Sequence, residues 1–149
     1  EFVAEEDRVS IIGALLVYPG TSGNFSLPSY AAYANYSGIL TTNLVKHALS
    51  LYSGGVPCTP QQYTCLPMYV PDAILARFPP TEFVVAEYDV LRDDSLFLVE
   101  RMRAVSVPVT VSLYRSTIHG FFGRPLFPEG VNSIEKASAK LLELSRSIV

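Results

Sequence analysis

The chain has 149 residues, 49% of them hydrophobic and 17% charged, and its 11 basic and 14 acidic side chains leave a net charge of −3. This balance excludes an intrinsically disordered chain, and a mildly acidic surface argues against nucleic acid as a partner. The length fits one domain with a real core, and no apolar run approaches the roughly 20 residues of a membrane-spanning helix.

The first element is Val9 to Tyr18, VSIIGALLVY, closed by Pro19-Gly20. A strand apolar at nearly every position is expected to be buried on both faces, as in a helix-covered parallel sheet. Residues 20 to 40 read as a loop with one short helix. Thr42 is the expected N-cap of a helix to about Tyr52, with Leu44, Val45, Ala48, Leu49 and Tyr52 on one face.

Residues 56 to 72 carry Pro57, Pro60, Pro67 and Pro71 and read as an irregular surface excursion. Within it Cys58 and Cys65 are spaced C-x6-C. Two ligands alone do not make a zinc site. The pair is open to two readings: free loop thiols, or a small disulfide contributing about 2.5 kcal/mol on the loop-entropy model. Ala73 to Phe78 reads as one helical turn.

Pro79-Pro80 introduces a second buried strand, Glu82 to Tyr88. Asp93 and Asp94 are N-cap candidates for a helix to about Val105, with a stripe of Leu96, Phe97, Val99 and Met102. The third strand is Pro108 to Tyr114. After the loop STIHGFFGRPLFPEG, Asn132-x-x-Glu135 has the pattern of a capping box. It opens a last helix whose apolar face is Ile134, Ala137, Leu141, Leu144 and Ile148. Strands alternating with amphipathic helices predict an α/β fold with a parallel sheet of about three strands flanked by helices.

In such a sheet, chemistry gathers beyond the carboxyl ends of the strands. Asp89 follows the second strand and His119 follows the third, so both fall on one rim. A carboxylate on one imidazole nitrogen fixes the tautomer and leaves the other nitrogen able to take a proton from a nucleophile. Gly120 and Gly123 allow a sharp turn around the histidine. His47, in mid-helix, reads as a structural or exposed residue. No glycine-rich nucleotide fingerprint and no metal-ligand spacing is present, so no cofactor and no metal are expected.

AEYDVLRDD (Ala86 to Asp94), ERMRAVSVPV (Glu100 to Val109) and IHGFFG (Ile118 to Gly123) closely resemble the C-terminal half of α/β-hydrolases. The specific likeness is to the hormone-sensitive-lipase-like, or arylacetamide-deacetylase-like, esterase and lipase family, and it covers about residues 9 to 147. The resemblance implies that Asp89 is the acid and His119 the base of a Ser-Asp-His triad. It also implies that Asp93 is a non-catalytic aspartate holding the loop and starting the helix, and that Phe121 and Phe122 lie near the mouth of the acyl pocket.

The family's G-x-S-x-G elbow and H-G-G oxyanion motif do not occur in these residues. The chain therefore reads as the C-terminal portion of a single α/β-hydrolase domain, residues 1–149, with the nucleophile-bearing N-terminal portion absent. The expected activity is hydrolysis of a small-molecule ester or lipid by the parent protein, with the isolated chain inactive. The alternative is a non-catalytic truncated paralogue acting as an interaction module. The missing N-terminal half is an expected partner, and the resemblance extends to a homodimer paired through the last strand's edge, Pro108 to Tyr114.

Overall fold

The computed structural model describes residues 11–36 and 38–146, with side chains through residue 143. The predicted first residues of the first strand, Val9 and Ser10, and the side chains of Leu144 and Ile148 lie outside the described residues. The elements run β1 (Ala14–Val17), α1 (Pro28–Ala32), α2 (Thr42–Tyr52), a 3-10 turn (Pro67–Tyr69), α3 (Asp72–Leu75), β2 (Thr81–Tyr88), α4 (Arg92–Ala104), β3 (Val109–Ile118) and α5 (Pro128–Arg146). The strands form one parallel sheet in the order β1-β2-β3. Ala14 pairs with Thr81, and Thr81 with Val109, so all three carboxyl ends open on the same rim.

β2 is the central strand and is buried along Thr81–Ala86. Its alternation splits the core. Phe83 and Val85 pack with Leu98, Val99 and Met102 of α4. Val84 and Ala86 face the other way, against Tyr114 and Phe121. The stripe of α4 therefore runs through Leu98 rather than Leu96 and Phe97; Phe97 is exposed and Leu96 half-buried. β1, predicted to be buried on both faces, is half-buried throughout, because among the described residues it pairs on one side only.

β3 runs four residues beyond its predicted end at Tyr114. Ala86 pairs with Tyr114 but Tyr88 with Ile118, so the register shifts between them. Such a bulge bends its strand and re-aims the residues that follow. Ser116 takes a left-handed φ of 56° inside it, and Thr117 Oγ1 donates to the Tyr114 carbonyl at 2.8 Å.

Several caps differ from expectation. The α2 cap is Thr41, whose hydroxyl accepts from the Leu44 N–H at 3.1 Å. Thr42 instead donates its hydroxyl to the Tyr30 carbonyl. α2 buries no residue, and Leu44 and Tyr52 of its predicted apolar face are exposed. α4 starts with Leu91 as N-cap and no side-chain cap, while Asp93 and Asp94 sit inside its first turn. α5 starts at Pro128, four residues before the predicted Asn132, whose side chain bonds Glu129 rather than Glu135. A proline in the first turn forgoes no helical hydrogen bond, so the helix can open that early. Cys58 and Cys65 form a disulfide, which resolves the two readings of the pair.

Candidate active site

The turn after β2 is built around three aspartates. Asp89, 1% exposed, accepts the Leu91 N–H on Oδ1 at 2.9 Å. Its other oxygen, Oδ2, lies 2.8 Å from His119 Nδ1. The two residues lie on adjacent strand ends and are brought level by the β3 bulge. With Nδ1 engaged by a carboxylate, Nε2 is the nitrogen able to accept a proton. The imidazole is partly open to solvent, its side chain 22% exposed, and a reacting group can reach it.

Asp93 Oδ2 accepts the Ser29 N–H at 2.9 Å, and its Oδ1 accepts from Arg92 Nε at 3.0 Å. Ser29 in turn donates its hydroxyl to the Val90 carbonyl at 2.7 Å. These bonds pin α1 to the turn that carries Asp89. Arg92 stays charged, held up by Asp93 and by the Tyr33 hydroxyl that it bonds at 2.7 Å, against the opposing effect of burial. Asp94 Oδ1 accepts the backbone N–H groups of Thr21 and Ser22 at 2.9 and 2.6 Å, fixing the chain just past β1. Two carboxylates in the first turn also suit the positive end of α4.

The histidine loop is anchored from below. Gly120 and Gly123 both take left-handed backbone, φ 82° and 74°. Phe121, placed by the resemblance near a pocket mouth, is instead fully buried between Val84, Ala86 and Tyr114. Its ring is the plug that holds the loop on the sheet; Phe122 is half-buried beside it. His47 is exposed on α2.

Three participants were not assigned from the sequence: Ser29, the loop-fixing role of Asp94, and Tyr18. Tyr18 is the last residue of the predicted first strand, and its ring centroid lies 4.3 Å from that of His119. The signal for it was its position, since a residue at the end of a neighbouring strand shares the rim with Asp89 and His119.

A family model described as the alpha/beta hydrolase fold matches residues 2–123, and the chain belongs to that family. It is 34% identical over 113 residues to esterase LipI of Mycobacterium tuberculosis, an alignment covering 76% of this chain and 34% of LipI. It is 41% identical over 58 residues to mouse arylacetamide deacetylase-like 3, covering 39% of this chain and 14% of that protein. Carboxyl esterase 2 of the fungus Tuber melanosporum superposes with a TM-score of 0.78 at 27% identity, over 89% of this chain and 43% of the esterase. The likeness to hormone-sensitive-lipase and arylacetamide-deacetylase esterases read from the motifs therefore holds. The chain spans about a third of the length of the two mycobacterial esterases that it matches over most of its own length.

Proposed function

We propose that this chain carries the acid and base of a serine carboxylesterase, with Asp89 as the acid and His119 as the base, and that the nucleophile lies in sequence outside these 149 residues. The observation that carries the reading is the 2.8 Å contact between His119 Nδ1 and the buried Asp89 carboxylate at the shared strand rim. In this reading Asp89 holds the Nδ1–H tautomer and stabilises the imidazolium. His119 Nε2 takes the hydroxyl proton of a serine as that oxygen attacks the ester carbonyl. The same proton passes to the departing alcohol, leaving an acyl-enzyme. Water then attacks, His119 again takes and returns one proton, and a carboxylic acid leaves. The substrate class is a small-molecule ester or lipid, in keeping with the esterases to which the chain is similar.

The test joins the chain to a nucleophile-bearing segment that supplies the G-x-S-x-G elbow. Turnover of an activated short-chain ester and labelling by a fluorophosphonate are then measured. His119→Ala and Asp89→Asn should each lower kcat by about 10⁴, as loss of the base or of its tautomer does in serine hydrolases. If both variants stay within a few-fold of the parent, these residues are structural and the reading fails.

A further inference from the structure

Tyr18 reaches the histidine loop at two points. Its ring lies on the His119 imidazole, with centroids 4.3 Å apart and planes at 54°. The same ring meets Phe121, the buried plug of the loop, at 6.1 Å. Its side chain also packs against the buried cluster of Val84, Ala86, Tyr114 and Phe121. The residue holds this position from a left-handed backbone, φ 36°, a conformation costly for a non-glycine residue and found where surrounding structure enforces it. Pro19 follows at once, and the chain beyond is fixed by the bonds of Thr21 and Ser22 to Asp94. Burial, and then the negative charge of Asp89, raise the phenol above its ordinary range, so it stays a neutral hydroxyl.

We infer that Tyr18 is a positioning residue for His119: its ring, set between the imidazole and the Phe121 ring, sets the imidazole plane so that Nδ1 faces Asp89 and Nε2 faces outward. The Asp89 bond acts on a torsion, χ2, whose wells are broad and roughly two-fold, so one hydrogen bond defines the ring plane loosely. A second ring in contact, with centroids 4.3 Å apart and a 54° tilt, narrows that range. The inference rests on the proposed acid–base pair and extends it to β1, the strand that brings Tyr18 to the rim.

The test uses the 149-residue chain, labelled with ¹⁵N-histidine, and reads the neutral His119 tautomer from two-bond ¹H–¹⁵N correlations. The parent should show the Nδ1–H form, and Asp89→Asn should lose it. A parent lacking that form defeats the acid–base pair itself, separately from Tyr18. Tyr18→Leu, with an unchanged backbone amide fingerprint, should lower the ratio of Nδ1–H to Nε2–H at least tenfold. Tyr18→Phe, which keeps the ring, should leave that ratio within twofold. A purely structural tyrosine would leave the tautomer ratio alone in any variant that keeps its fold. The inference is overturned if Tyr18→Leu keeps the parental ratio, or if Tyr18→Phe loses it as fully as Tyr18→Leu. Should Tyr18→Leu lose its fingerprint, Tyr18→Met, a non-aromatic side chain of similar length, takes its place: a tenfold fall in the ratio supports the ring contact and retention of the parental ratio refutes it.

Discussion

Asp94 shows how one carboxylate can fix the geometry of a distant strand end. Thr21 and Ser22 are buried, and both direct their backbone N–H groups at Asp94 Oδ1. An alanine there would leave two buried donors without that acceptor. Each such loss costs about 1–3 kcal/mol, so Asp94→Ala should destabilise the chain by about 3 kcal/mol. Asp94→Asn keeps an oxygen in place and gives up only the charge-assisted part of the bonds, so its cost should be about 1 kcal/mol. Urea denaturation checks both values, with the midpoint falling and the slope unchanged. Asp89 and Asp94 lie five residues apart and do different work because their surroundings differ: one meets an imidazole open to solvent, the other two amides that are not.

At the scale of elements, the bulge in β3 is the feature that places His119, and Glu87 braces it. Glu87 accepts the Ser116 N–H at 2.7 Å and the Arg115 guanidinium at 3.0 Å. The Ser116 amide, with help from Arg115, holds the Glu87 carboxyl below its ordinary range. A carboxylate with a depressed pKa in the folded state stabilises the fold above its unfolded pKa, and the stabilisation is lost as pH falls through the folded value. The melting temperature of the parent should therefore exceed that of Glu87→Gln at neutral pH. The gap should close progressively as the pH drops below the usual carboxylate range, which thermal melts at a series of pH values would follow.

The sequence made the strands legible because each is a short apolar run bounded by proline or charge. It also placed Asp89 and His119 on one rim through strand order alone. The bulge was not legible: RST at 115–117 carries no glycine to mark it, and the strained residue is Ser116. The caps were misread for a related reason. Asp93 and Asp94 look like N-caps locally, but their partners are Ser29, Thr21 and Ser22, more than sixty residues away. Phe121 could not be told from a pocket residue until its contacts with Val84, Ala86 and Tyr114 were known.

Across the whole molecule, apolar surface is left over. Among the described residues β1 is paired only to β2, which leaves its other edge open. α2 buries nothing and shows Leu44, Leu51 and Tyr52 to solvent, while α5 shows Val131, Ile134 and Leu142. An open strand edge and exposed apolar side chains are templates for association, and on the proposed reading further strands and helices of the hydrolase would cover them. The mean hydropathy of +0.28 fits the same account. The 149-residue chain alone should therefore self-associate in size-exclusion chromatography, bind a hydrophobic dye strongly and show no esterase turnover above background. Adding a separate fragment that bears the G-x-S-x-G elbow should yield a defined complex, lower the dye signal and restore turnover together, because one surface governs all three. A chain that stays monomeric, excludes the dye and ignores the fragment would mean that its exposed faces are already compatible with water, and the interaction-module reading would then take the place of the split hydrolase. Robust turnover by the chain alone that survives His119→Ala would require a nucleophile other than the one proposed.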